Sequence, residues 1–176
     1  FLCEYYLFTQ DAQVLPTIRE YAVKSAMGQS GAGTWGHTVA ARANTGKLHG
    51  HLGGYGAMNQ ISLVFMMGLK LSEHCGVTHP EITQALERGE TFFNYYIGKG
   101  AIPYGDHRPA NQWFDGNGKS SSAAVMFDLL GNQEGASFFG TMSVASSPGG
   151  REEGHTGCFW SHLWGGLGAA RAGQDG

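Results

Sequence analysis

The stretch Ser121-Ser122-Ala123-Ala124-Val125-Met126-Phe127-Asp128-Leu129-Leu130 is small or apolar on nearly every side. A helix built from it has no wet stripe and is expected to be buried all round. Ile61 to Leu71 and Cys158 to Ala170 read the same way, and each is shorter than the roughly 18 apolar residues a membrane span requires. No membrane span is therefore expected. Between these stretches lie segments of a second kind. Leu15, Ile18, Ala22 and Ala26 recur every three to four residues with Arg19, Glu20 and Lys24 on the other side, which predicts an amphipathic helix that Asp11 can cap. Thr78-His79-Pro80-Glu81 has capping-box spacing, and Ile82, Ala85, Leu86, Phe93, Tyr96 and Ile97 form the apolar stripe of the helix that follows. A weaker example runs from Gln133 to Ser146, with Ala136, Phe139, Met142 and Val144 or Ala145 as its stripe. The prediction is an all-α chain of sequential helical hairpins. Inner buried helices fall near Asn59 to Glu73, Lys119 to Leu130 and Gly157 to Ala170, and outer amphipathic helices alternate with them.

Composition narrows the functional classes. The chain has 176 residues, 11 Lys plus Arg against 14 Asp plus Glu, and a formal net charge of −3. With only 14% charged residues and no basic excess, a nucleic-acid footprint is not expected. Hydrophobic residues at 41% supply a core, so the 29 glycines do not signal disorder. They fit close helix packing instead: Gly68, Gly165, Gly166 and Gly168 would each cost about 1 kcal/mol in an exposed helix unless a neighbouring backbone approaches. Cys3, Cys75 and Cys158 are odd in number and widely spaced, which offers no disulfide framework or paired zinc motif and predicts three buried thiols. Starting at Phe1-Leu2-Cys3, the chain reads as part of a larger polypeptide.

Each amphipathic helix is followed by a glycine-containing turn that closes on histidine. The turns are Gly33-Thr34-Trp35-Gly36-His37, Ile102-Pro103-Tyr104-Gly105-Asp106-His107 and Arg151-Glu152-Glu153-Gly154-His155. They define a loose repeat of hairpin units, about 11–75, 78–131 and 132–172, within one partial domain spanning 1–176.

Alternating hairpins of this kind resemble the α/α toroid of the terpenoid cyclase and protein prenyltransferase superfamily. The two turns after Gly28-Gln29-Ser30 and Gly98-Lys99-Gly100-Ala101, with Asn117-Gly118-Lys119, Met142-Ser143-Val144-Ala145-Ser146 and Gly154-His155-Thr156-Gly157, are similar to an uncharacterised bacterial family catalogued as a domain of unknown function. The resemblance spans nearly the entire chain. It implies a toroid fold, and an exported, periplasmic or extracellular location alongside PDZ-like modules, but no chemistry. The chain supplies fewer hairpins than a closed toroid, which again implies a remainder.

In such a toroid the three histidine turns are expected at one mouth, where aromatic walls and convergent polar groups define a ligand site. The preferred reading is binding of a carbohydrate polymer, or its cleavage by a hydrolase or lyase. Asp106, Glu153 and His155 are the candidate catalytic residues, and Trp35, His37, Tyr104, His107, Trp113 and Glu152 the candidate substrate-binding residues, with no cofactor. Asp115 is a further candidate acid or base, although its Phe114-Asp115-Gly116 setting equally suits a turn or helix cap. Glycoside hydrolysis needs two carboxyls about 5 to 9.5 Å apart, which a sequence does not specify. A non-catalytic glycan or peptide-binding module is the first alternative. A metal-dependent hydrolase using His37, Asp106 or His107, and His155 is the second, with His49-Gly50-His51 as further ligands, although no His-Glu-x-x-His motif or paired cysteines support it. The packing alternative has each histidine fasten its own turn. Ser143, Ser146 and Ser147 lack a nucleophile elbow, and Gly118-Lys119-Ser120 lacks the rest of a phosphate loop, leaving Lys119 as a possible anion contact.

Overall fold

The computed structural model describes residues 1–40, 56–109, 114–152 and 159–173. Among them the regular elements are helical: α1 (Leu2–Thr9), α2 (Leu15–Met27), α3 (Asn59–His74), α4 (Pro80–Asn94), α5 (Lys119–Leu130), α6 (Gln133–Ala145), α7 (Pro148–Glu152) and α8 (Phe159–Ala169). Short 3-10 turns at Ala12–Val14 and Gly116–Gly118 lead into α2 and α5. The chain divides into two compact units. Phe1–Met58 with Phe65–Phe92 makes one, and Asn59–Val64 with Phe93–Gly176 makes the other.

In the first unit, Asp11 accepts the Gln13 backbone N–H at 3.0 Å and starts the turn into α2, whose Ile18, Ala22 and Ala26 are buried as the periodicity predicts. Helix α4 buries Ile82, Ala85 and Leu86. Its cap differs from the capping-box expectation. Pro80 opens the helix, so His79 stands at the cap position, and its Nδ1 accepts the Glu81 N–H at 3.2 Å. Gly89 lets Met66 of α3 lie against α4, since a Cβ there would come within 2.2 Å of the Met66 sulfur. Helix α3, whose residues up to Val64 belong to the second unit, is not buried all round: Val64 and Gly68 face solvent, while Leu63, Met66, Met67 and Leu69 are buried.

In the second unit, α5 matches its prediction, with every residue from Lys119 to Phe127 buried. Gly131, at φ 80°, ends α5, and Asn132 caps α6 through the Gly135 N–H. This two-residue connection makes an antiparallel hairpin, in which Phe127 meets Gly135 and Ser121 meets Ser143. Helix α8 packs against both. Gly118 lies at the Trp160 carbonyl and Ser121 at Gly168, so α8 runs parallel to α5; Gly140 meets Arg171 and Ala172, so it runs antiparallel to α6. These contacts rest on small residues. They also move the buried stripe of α6 to Gly135, Ala136, Phe139, Gly140 and Ser143, leaving the expected Val144 half exposed. Helix α8, expected to be buried all round, buries Ser161, Gly165 and Gly168 while Phe159, Leu163 and Leu167 are exposed. Close approach selects the small residues for the inside and turns the large ones out.

Candidate functional site

The backbone of the turn carrying Tyr104, Asp106 and His107 is gripped from several sides. Asn59, the first residue of α3, donates its backbone N–H to the Tyr104 carbonyl at 2.9 Å. Its side-chain amide donates to the carbonyls of Pro103 at 3.0 Å and Gly105 at 2.8 Å. Tyr96 donates its hydroxyl to the His107 carbonyl at 3.1 Å, and the His107 N–H bonds the Gly105 carbonyl at 2.8 Å. Asn59 is fully buried, as are Ile102 and Pro103, whereas Tyr104, Asp106, His107 and Arg108 are exposed. The backbone is thus fixed from beneath, and an aromatic ring, a carboxylate and an imidazole remain accessible above it.

The next residue, Gln60, holds a second turn. It donates to the Asn117 carbonyl at 3.0 Å and accepts from the Asn117 side-chain amide at 2.6 Å. Asn117 and Gly118 both occupy the left-handed region, at φ 55° and 70°. The pair closes on Asn117 from both sides and stabilises a conformation that is costly outside glycine. Consecutive residues at the start of α3 therefore fix the 103–107 turn and the start of α5. Neither Asn59 nor Gln60 stood out in the sequence as more than the polar beginning of an inner helix.

Beneath the second turn lies a buried polar cluster. Asp115 is wholly inaccessible; its Oδ1 accepts the Ser121 N–H at 2.9 Å, its Oδ2 accepts the Ser121 hydroxyl, and Arg151 stands 3.5 Å away. Ser143 bonds Ser121 at 2.7 Å and the Gly165 carbonyl at 3.0 Å, while Arg151 also donates to the Ser143 carbonyl. This network ties α5, α6, α7 and α8 together. Asp115 is consequently a helix cap and counter-ion with no access to a substrate, which removes it from the candidate acids and bases. Lys119 is also buried, its ammonium donating to the Gly116 carbonyl. Burial lowers its pKa to about 8, against the pull of the Asp115 carboxylate.

In the first unit, the turn at Trp35 is fixed by a different set of bonds. The Ser30 N–H bonds the Thr34 carbonyl, the Met58 N–H bonds the Trp35 carbonyl, and Gly33 lies so close to the Arg88 carbonyl that a Cβ would sit 2.5 Å from it. Gln29 donates to the Ala85 carbonyl and accepts from Arg88. Trp35, expected as a sugar platform, is 2% exposed; it stacks on Phe65 and donates its indole N–H to the Ser25 carbonyl. It is a core residue. His37 is exposed. An open depression of about 290 Å³, lined by Gly31, Ala32, Glu87, Arg88, Thr91 and Phe92, contains none of the candidate residues.

Glu152 is exposed at the end of α7. Trp113, Glu153 and His155 lie outside the described residues, as do His49 and His51. Among the described residues, no three His, Cys, Asp or Glu side chains gather as a metal site, and no helix is long and apolar enough to cross a membrane.

Taken together, these features define a chain whose described residues fold into helices, with polar side chains fixing the turns between them. The chain belongs to the family described as Domain of unknown function (DUF6288), whose model matches residues 1–176. No curated protein and no solved structure matches it.

Proposed function

We propose that the chain is part of an α/α toroid, built from hairpin units of about 11–75, 78–131 and 132–172, whose rim binds a carbohydrate polymer. The observation that carries this reading is the 103–107 turn. It presents exposed Tyr104, Asp106 and His107 on a backbone tied down by buried Asn59. An aromatic face beside hydrogen-bonding groups on a preorganised support suits a sugar ring, because little ordering entropy is lost on binding. The toroid is supported by helix direction: α5 and α8 run parallel and α6 runs opposite to both, as inner and outer helices of successive hairpins do. In the catalytic form of the reading, Asp106, Glu153 and His155 are the catalytic residues, with the carboxyls of Asp106 and Glu153 as acid and base. Tyr104, His107, His37, Trp113 and Glu152 then hold the polymer. Trp35 is left out of the proposed contact surface because its ring is in the core.

The test is a glycan panel on the intact protein, scored for binding and for release of reducing ends. Tyr104→Ala is expected to weaken binding about tenfold, in line with an aromatic contact of about 1 kcal/mol. Asp106→Asn is expected to abolish release of reducing ends while affinity is kept. Equal loss of affinity in both variants would favour a binding module, and no binding to any glycan would sink the proposal.

A further inference from the structure

The two cysteines among the described residues lie 72 positions apart in sequence and meet in the first unit. Cys3 is in the first turn of α1, half-buried; Cys75 closes α3 and is 5% exposed. The Cys75 thiol donates to the Cys3 carbonyl at 3.6 Å, and the two thiols are within hydrogen-bond reach of each other. The site matters because α1 is weakly attached. It has no buried residue, and Phe1 and Phe8 are both 91% exposed. We propose that Cys3 and Cys75 form a disulfide that fastens α1 to the end of α3, making the pair a redox latch. Closing so long a loop removes much freedom from the unfolded chain, so the latch would stabilise the unit it closes.

The oxidant is a small disulfide such as oxidised glutathione. Cys3, the more accessible thiol, gives its proton to solvent; its thiolate attacks one glutathione sulfur, forming a mixed disulfide and expelling a glutathione thiolate. Cys75 then loses its proton and attacks the Cys3 sulfur, and the second glutathione leaves as thiolate. Both released thiolates take up protons. Two protein thiols are oxidised and one disulfide is reduced to two thiols. Desolvation raises both thiol pKa values, so the thiolate fraction is small at neutral pH and the reaction speeds up as the pH is raised.

The experiment uses the full chain carrying Cys158→Ser, equilibrated with oxidised glutathione, quenched with N-ethylmaleimide and digested without reductant. The expected product is an intrachain peptide pair joined through Cys3 and Cys75, lighter by two hydrogens. Hydrogen exchange across α1 should slow at least tenfold, and Tm should rise by roughly 5 °C relative to the reduced form. Cys3→Ser, at the more exposed site, should abolish the cross-link and both changes without loss of fold. Complete alkylation of both thiols after equilibration would overturn the proposal. So would a glutathione adduct on Cys3 that never closes, or linkage only between chains.

Discussion

Lys119 shows how far a single residue can depart from its expected setting. The sequence placed it at the start of an inner helix as a possible anion contact, yet it is buried, with its ammonium on the Gly116 carbonyl. Its pKa falls from 10.5 to about 8 through desolvation. Between these values the unfolded chain carries a proton that the folded chain lacks, so stability should rise with pH across that window, by up to about 3 kcal/mol. Cys75 acts in the opposite sense: its pKa is raised from 9.0 to about 11, so stability is lost as pH climbs through that range. Urea melts of Lys119→Met beside the parent chain from pH 7 to 10.5 separate the two, because only the Lys119 slope should vanish. Asp115 was legible as a cap but not as the centre of a network, since Ser143 and Arg151 lie far along the sequence. Asp115→Ala should cost about 3 kcal/mol in a urea melt, because it strands Arg151 and the Ser121 amide together.

Among the elements, the glycines separate by their neighbours. Gly68 has open space where a Cβ would go, whereas a Cβ on Gly168 would meet Ser121 of α5 at 2.5 Å. Gly68→Ala should therefore stabilise by about 0.5 to 1 kcal/mol, and Gly168→Ala should destabilise by about 1 to 3 kcal/mol, both read from thermal melts. Opposite signs in chemically identical substitutions would separate close packing from helix propensity. The helices themselves were legible: α3 and α5 start where the polarity pattern predicts, and hydrophobic period together with the capping residues located α2 and α4. Less legible was the face each helix buries. In α6 and α8, a glycine or serine at the contact brings backbones together, and this overrides the usual tendency of the largest apolar side chains to point inward.

For the whole molecule, all-helical character followed from period and composition, while the pairing of distant residues did not. Nothing in the spacing of Cys3 and Cys75, or of Asn59 and Tyr104, signals contact, because hairpin packing sets those distances. The exposed Phe159, Leu163 and Leu167 of α8 also run against the composition-based expectation of a helix buried all round. Leu163→Glu with Leu167→Glu should leave the unfolding free energy of this chain nearly unchanged, within about 0.5 kcal/mol in a urea melt, while reducing binding of a hydrophobic dye. A large loss of stability would show that the stripe is covered.

The way Asn59 grips its turn has a consequence for how such a surface can diversify. Its amide recognises main-chain oxygens, which every amino acid supplies. Positions 104, 106 and 107 can therefore exchange ring, acid and base for other groups without disturbing the anchor beneath. Altering position 59 would loosen all three at once.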